Sequence, residues 1–186
     1  AGAITMVSFI NLTMFFIGLE ILSISLYVLA ASNKRELRSN EAGLKYLLMG
    51  SFATGFLLFG IALIYGATGT FNLEKISEIL STGMGNALFV KAGVLMIMVG
   101  LLFKVSAAPF HFWAPDVYEG APTLITAYMA TAVKTAAFAA FYRLFSSCFT
   151  FLHEDWAGTV AVISALTMLA GNILAVYQTS MKRMLA

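Results

Sequence analysis

The sequence has few charged side chains, and it contains a single cysteine. Aspartate, glutamate, lysine and arginine make up 11% of the 186 residues, against about 25% in a typical soluble domain. Cys148 alone cannot form a disulfide within the chain, and the scattered His111 and His153 do not make a metal site with it. The net charge of +2, with no basic stripe between aromatics, argues against nucleic-acid binding.

The most prominent feature of the sequence is its long apolar runs. Hydrophobic residues make up 60% of the chain and the mean hydropathy is +0.89, so its natural solvent is lipid. Each run approaches or exceeds the roughly 20 residues that cross a bilayer. The predicted spans are Ile4–Ala31, Leu44–Tyr65, Ala87–Ala108, Thr123–Phe149 and Trp156–Tyr177. This pattern predicts an all-α membrane protein, a bundle of about five transmembrane helices.

The whole chain, residues 1–186, is predicted to form a single transmembrane domain. A new apolar run begins at Lys182–Ala186, from which we expect the chain to be a fragment of a larger membrane protein.

A short amphipathic helix is predicted between the second and third spans, over Asn72–Ser81. Its apolar residues fall on one helical face and its charged residues on the other, which indicates a helix at the membrane interface or one packed on the spans. The cluster Gly83–Asn86 that follows predicts a turn.

The distribution of lysine and arginine predicts the orientation. Basic residues concentrate in the Ser32–Lys45 loop and in the C-terminal tail, whereas the segment between the second and third spans carries only Lys75. By the positive-inside rule, Ser32–Lys45, Pro109–Pro122 and the tail are predicted to be cytoplasmic.

Three ionisable side chains, Glu20, Lys104 and Lys134, fall deep inside predicted spans. Glu20 lies about 16 Å from the basic end of its span, and Lys134 is similarly central. Burying a charge there costs roughly 2.5–3.5 kcal/mol, and chains that keep such groups commonly use them to move ions or protons. The alternative is a structural ion pair that fixes helix register.

Features around these residues suggest a wet, irregular interior. Helical spacing puts Thr131 on one face with Lys134, together with Ala127 and Phe138, leaving room for water or for close helix packing. Pro109 lies five residues after Lys104 and predicts a broken helix, or else simply the helix end. His111, beside aromatics, is a candidate titrating group or a structural hydrogen-bonding residue.

The segment Phe103–Thr123 resembles the signature of the antiporter-like membrane subunits of respiratory complex I. Within that family the N-type subunits are the most similar, through five further segments. These are Gly18–Ser23, Tyr27–Leu29, Val133–Ala136, Tyr177–Gln178 and Lys182–Ala186. The resemblance covers essentially the whole chain and implies about the fifth to ninth helices of a longer subunit.

The resemblance implies a proton-translocating role in NADH–quinone oxidoreductase. Glu20 would pair with Lys104 at a helix break, and Lys134 would relay protons onward. No metal or redox cofactor is implied for this chain, while NADH, flavin, iron–sulfur clusters and quinone would act in other subunits. The implied partners are other membrane subunits, lipid and protons, in a bacterial inner membrane.

Two alternatives remain open. An Mrp-type sodium/proton antiporter subunit, or a subunit of a hydrogenase- or ferredoxin-linked complex, would look much the same locally. A structural membrane scaffold with buried ion pairs would predict that Lys104→Ala lowers stability but leaves pumping per assembled complex unchanged.

Overall fold

The computed structural model describes residues 1–83 and 85–186, most of which are helical. The helices are α1 Gly2–Val7, α2 Leu12–Ala30, α3 Leu37–Thr68, α4 Leu73–Ser81, α5 Ala87–Val105, α6 Ala114–Gly120, α7 Thr123–Tyr128, α8 Lys134–Arg143, α9 His153–Val176 and α10 Met181–Met184. The π-helical segment Met129–Val133 joins α7 to α8, and a second one, Leu144–Cys148, continues the same helix to Cys148.

Among the described residues, five helices are long and apolar enough to cross a membrane. They are α2, α3, α5, the continuous helix Thr123–Cys148, and α9 with the 3-10 turn before it. The predicted all-α membrane fold is therefore confirmed, and the protein is an integral membrane protein.

Asparagine side chains begin three of the helices. The Asn11 side-chain oxygen accepts a hydrogen bond from the Met14 amide at 2.7 Å, at the start of α2. Asn72 caps α4 in the same way, and Asn86 caps α5. Each cap satisfies amides that have no partner within the helix, so these polar residues mark helix starts inside apolar sequence.

The predicted first span, Ile4–Ala31, was wrong because it contains two helices. α1 folds back antiparallel on α2, and a Cβ on Gly2 would lie only 2.9 Å from the Gly18 carbonyl oxygen. The turn between them pairs with the chain before α4: the Leu12 amide donates to the Phe71 carbonyl at 2.9 Å. The turn residues are themselves largely apolar, so hydropathy alone did not reveal the break.

The other spans agree with prediction apart from their ends. α3 begins at Leu37 rather than Leu44, and α5 ends at Val105 rather than Ala108. α3 and α5 pack closely where Gly60 faces Gly93, and a Cβ on Gly93 would lie 2.9 Å from the Gly60 carbonyl oxygen. Such close approach between membrane helices requires small residues.

The amphipathic helix between the second and third spans is present as α4. Leu73 and Ile76 are buried, whereas Glu74, Lys75 and Glu78 are exposed. The turn predicted after it includes Met84, which lies outside the described residues.

α9 packs loosely on the other helices, and none of its residues is buried. Asp155 forms a 2.6 Å ion pair with Lys91 of α5, and the Thr167 hydroxyl accepts a hydrogen bond from the Ala108 amide at 3.0 Å. The second contact joins α9 to the irregular segment between α5 and α6.

Candidate functional site

Lys104 lies in the last turn of α5 and points into the bundle. Its side chain is buried, with only 4% of the residue exposed. The ammonium donates hydrogen bonds to the Ser23 hydroxyl of α2 at 2.8 Å and to the Tyr46 hydroxyl of α3 at 3.2 Å. Three helices therefore enclose one cation, and its direct partners among the described residues are neutral.

Glu20 lies one helical turn before Ser23 on α2, and it is half-buried. Glu20 and Lys104 form no direct salt bridge; the carboxylate lies one turn along α2 from the Ser23 hydroxyl that the ammonium contacts. The Glu20 Oε1 atom is buried and has no hydrogen-bond partner among the described residues. The predicted acid and base thus share one region, with Ser23 making the direct contact to the lysine.

Lys134 begins α8 and reaches the end of α5. Its ammonium donates to the Val105 carbonyl at 2.8 Å and to the Ser106 hydroxyl at 2.5 Å. A cation at this position is favoured because the carbonyls at a helix C-terminus carry partial negative charge. Both contacts are with residues that directly follow Lys104 in the chain.

The break in the third predicted span is confirmed. α5 ends at Val105, Ser106 adopts the left-handed conformation with φ 60°, and helix resumes only at Ala114. Amides 106 and 107 turn back to the carbonyls of Phe103 and Leu102, the pattern of a Schellman motif. The helix therefore ends four residues before Pro109, which is exposed and lies within the irregular segment between α5 and α6.

The predicted face shared by Thr131 and Lys134 was wrong. Thr131 is exposed and its hydroxyl donates to the Ala127 carbonyl at 2.8 Å, while Phe138 is also exposed. The π-helical segment Met129–Val133 has a wider turn than an α-helix, so the spacing used for the prediction does not hold across it. Val133 and Ala137 line the buried side beside Lys134 instead.

His111 lies in the irregular segment between α5 and α6. Its Nδ1 atom is buried without a hydrogen-bond partner among the described residues. None of the described contacts joins His111 to Glu20, Lys104 or Lys134, so the structure does not bring it to the lysines.

Sequence reasoning missed the side chains that hold the two lysines. They are Ser23, Tyr46, Ser106, Trp113 and Tyr118. Ser23 could have been found from its position three residues after Glu20 on the same helix face. Tyr46 carried no signal, because a tyrosine near a basic loop is equally typical of the membrane interface.

A cluster of ion pairs closes one end of the bundle. Lys45 of α3 pairs with Asp116 of α6 at 2.8 Å, and Arg183 of α10 contacts Asp116 at 2.9 Å and Glu119 at 2.8 Å. The Lys45 ammonium is the main cause that lowers the pKa of the Asp116 carboxyl. The contacts bring Ser32–Lys45, Pro109–Pro122 and the tail to the same end, as the sequence predicted.

The described residues contain no group of three or more histidine, cysteine, aspartate or glutamate side chains placed to hold a metal ion. The amines, carboxylate and hydroxyls of this arrangement can hold and pass protons.

Two curated relatives are similar in sequence to this chain over its whole length. The chain is 52% identical over 185 residues to NADH-quinone oxidoreductase subunit N of Cytophaga hutchinsonii and 50% identical over 186 residues to that of Flavobacterium psychrophilum. Both alignments cover 100% of this chain but only 40% and 41% of the relatives' length.

Solved structures show the same architecture. A chain of respiratory complex I from Thermus thermophilus matches with a TM-score of 0.83 and 38% identity, over 99% of this chain and 39% of that one. A chain of the Mrp complex from Dietzia sp. matches with a TM-score of 0.88 at 24% identity, over 98% of this chain and 34% of that one, which is likeness of fold alone. Both matches are to chains of multi-subunit membrane complexes.

A family model described as "NADH:quinone oxidoreductase/Mrp antiporter, TM" matches residues 10–186. The broken helix, the two lysines and the glutamate all lie within that range, and the chain belongs to the NADH:quinone oxidoreductase/Mrp antiporter membrane family.

Proposed function

We propose that this chain forms part of a proton path in the N-type membrane subunit of an NADH–quinone oxidoreductase. Glu20, Lys104 and Lys134 would hold and pass the protons. The observation that carries the proposal is the environment of Lys104: a buried ammonium held by two neutral hydroxyls, with a carboxylate nearby but not bound to it.

This arrangement suits proton transfer better than a structural ion pair does. A structural pair would place the carboxylate directly on the ammonium and so hold the proton tightly. Hydroxyl partners stabilise the ammonium less strongly and can also hydrogen-bond to the neutral amine. Lys104 can therefore alternate between its two forms, with the negative charge of Glu20 favouring the ammonium.

Lys134 would be the next side chain to hold the proton. A proton that leaves Lys104 as its amine forms can reach the Lys134 amine through bound water. The new ammonium is then stabilised by the Val105 carbonyl and the Ser106 hydroxyl at the end of α5. His111 and Pro109 lie in the irregular segment that follows α5. Thr131, exposed on another face, is not part of this path.

The wider setting is proposed from the relatives. The chain would be the central part of a longer subunit, assembled with other membrane subunits in a bacterial inner membrane. Residues 1–186 would then be a single transmembrane domain. The end that carries the ion pairs would be cytoplasmic, because it also carries most of the basic residues. NADH, flavin, iron–sulfur clusters and quinone would act in other subunits, so the enzymatic activity would belong to the complex.

An Mrp-type antiporter subunit is the second candidate. The high TM-score with the Dietzia complex supports the common fold, but identity to subunit N relatives is about twice as high. That difference favours the oxidoreductase subunit.

The test is proton translocation by the assembled complex with Lys104 replaced. Lys104→Met keeps most of the side-chain volume while removing the ammonium, and Lys104→Ala removes both. We expect NADH-driven proton uptake by inverted vesicles to fall at least about tenfold per assembled complex in both variants. Lys75→Ala, which changes an exposed lysine on α4, is the matched control and should pump normally.

Assembly is measured in parallel on native gels. A fully assembled Lys104→Met complex that pumps at the wild-type rate would overturn the proposal and support a structural scaffold. Lys104→Arg should pump poorly as well, because the guanidinium retains its proton at physiological pH.

A further inference from the structure

A cluster of stacked aromatic side chains contacts both the buried Lys104 and the half-buried Lys134. We call Tyr46, Phe103, Trp113 and Tyr118 the aromatic cluster. Tyr46 and Trp113 are nearly parallel, with ring centroids 4.7 Å apart and planes at 7°, and Phe103 stacks on Trp113 at 5.1 Å. All four residues are buried, and Tyr118 meets Trp113 edge-on at 6.1 Å.

Each ammonium lies within cation–π distance of this cluster. The Lys104 nitrogen lies 5.3 Å from the Tyr46 ring centroid. The Lys134 nitrogen lies 5.6 Å from the Trp113 centroid and 5.7 Å from that of Tyr118. Because Tyr46 stacks directly on Trp113, one continuous set of contacts joins the two lysines.

The backbone holds this cluster in place. The Trp113 indole N–H donates to the Phe103 carbonyl at 3.2 Å, which fixes the ring beside the last turn of α5. Trp113 and Tyr118 belong to the segment after the helix break, whereas Tyr46 belongs to α3. The cluster therefore aligns three chain segments on the two lysines.

We propose that the Tyr46–Trp113 stack is a positioning pair that stabilises a proton on either Lys104 or Lys134 during transfer between them. This inference rests on the proposed function and deepens it. Tyr46 stabilises the Lys104 ammonium through its hydroxyl, which accepts a hydrogen bond, whereas the Trp113 ring attracts the Lys134 ammonium through the negative side of its quadrupole; neither contact is an ion pair. With the Tyr46 hydroxyl beside one lysine and the Trp113 ring beside the other, the proton can occupy either lysine.

The alternative is that Trp113 and Tyr46 simply fill space. Fluorination of the indole distinguishes the two, because fluorine withdraws electron density from the ring face while the ring keeps nearly the same shape. It also makes the indole N–H a better donor, so the bond to Phe103 is not weakened. A purely structural tryptophan should therefore tolerate the change.

The experiment introduces mono-, di- and trifluorotryptophan at position 113 of the full-length subunit, one variant at a time, and measures proton uptake per assembled complex in inverted vesicles. We expect the rate to fall stepwise with fluorine number, to about tenfold below wild type with three fluorines. Trp156 is the matched control: its indole also donates to a backbone carbonyl and packs on Phe145, but no cation–π contact joins it to a lysine among the described residues.

A flat series at Trp113 in assembled complexes, or an equal decline at both tryptophans, would overturn the inference. If the trifluoro variant fails to assemble, the change in proton-uptake rate across the mono- and difluoro variants tests the inference instead. Lys104→Met and Lys134→Met are measured alongside: their loss of pumping with a flat fluorine series would leave the proposed function intact and reject only the role of the stack.

Discussion

At the scale of single residues, the neutral partners of Lys104 have consequences that an ion pair would not have. An ammonium has three donors, and two of them are accepted by Ser23 and Tyr46. The Ser23 hydroxyl in turn donates to the Leu19 carbonyl at 2.7 Å, which leaves its lone pairs directed to the lysine. Ser23 thus connects the charge of Lys104 to the helix that carries Glu20.

Ser23→Ala should reduce proton translocation with little effect on assembly. The variant removes one hydrogen bond to a charged group, a contribution of about 1.5–3 kcal/mol, so we expect the rate per assembled complex to fall about tenfold or more. Proton uptake by inverted vesicles, normalised to assembled complex, is the measurement.

Ser25→Ala is the matched control for Ser23→Ala. Ser25 lies on the same helix and donates to the Ile21 carbonyl at 2.7 Å, but it is exposed. Equal pumping by the two alanine variants would contradict a role for the Ser23 hydroxyl.

At the scale of helices, the sequence predicts where the spans lie. Of their interruptions it predicts the break after Lys104 but not the others. Apolar runs and length were enough to find α3, α5 and α9, because crossing lipid demands a continuous hydrophobic helix. The turn at Ser8–Ile10 was not predicted, since it is held by backbone contacts with the distant chain before α4. The π-helical segments were not predicted either, since helical spacing was assumed to be regular throughout the fourth span.

The sequence identifies the charged residues of the site but not the side chains that hold them. Glu20, Lys104 and Lys134 stand out because charge inside a span is rare. The hydroxyls and rings that hold the lysines come from α2, α3, α6 and the segment between α5 and α6, so only the packing of these elements identifies them. Thr131 was misplaced because a π-turn changes which residues share a face.

Gly93→Ala should weaken the packing of α3 on α5. The added methyl group would lie 2.9 Å from both the Gly60 carbonyl oxygen and the Ile64 side chain, so the helices must separate or Ile64 must move. Overpacking of this kind costs about 1–3 kcal/mol. We expect a lower thermal midpoint of the detergent-solubilised complex, followed by loss of assembled complex on native gels.

Gly66→Ala is the control for this substitution. Gly66 also lies in a membrane helix, but a Cβ there meets no other group within 4 Å. Its variant should be as stable as wild type, and equal destabilisation by both alanines would refute close packing at Gly93 as the cause.

At the scale of the whole molecule, the ion pairs at the basic end join segments that are far apart in sequence. Lys45, Asp116 and Arg183 belong to α3, α6 and α10. Lys45 directly precedes Tyr46, and Asp116 follows Trp113 by three residues. The exposed ion pairs are therefore continuous along the chain with the aromatic cluster that contacts the two lysines.

The lowered pKa of Asp116 predicts how acid affects this end of the bundle. A carboxyl whose pKa is lower in the folded protein contributes stability above its unfolded pKa, near 3.8, and loses that contribution as pH falls through the folded value. Because Asp116 is partly exposed, the contribution is modest, about 1 kcal/mol or less.

Asp116→Asn keeps the side-chain shape but removes the charge, so it should lower the thermal midpoint of the complex at neutral pH. The difference from wild type should shrink as pH falls below about 3.8, and it should vanish only below the lower pKa of the folded protein, where the native carboxyl is also protonated. Glu41→Gln, which alters a more exposed partner of Lys45 within α3, should produce a smaller change, because it leaves the link between α3, α6 and α10 intact. A constant difference between Asp116→Asn and wild type across this pH range would show that the asparagine acts through packing rather than through charge.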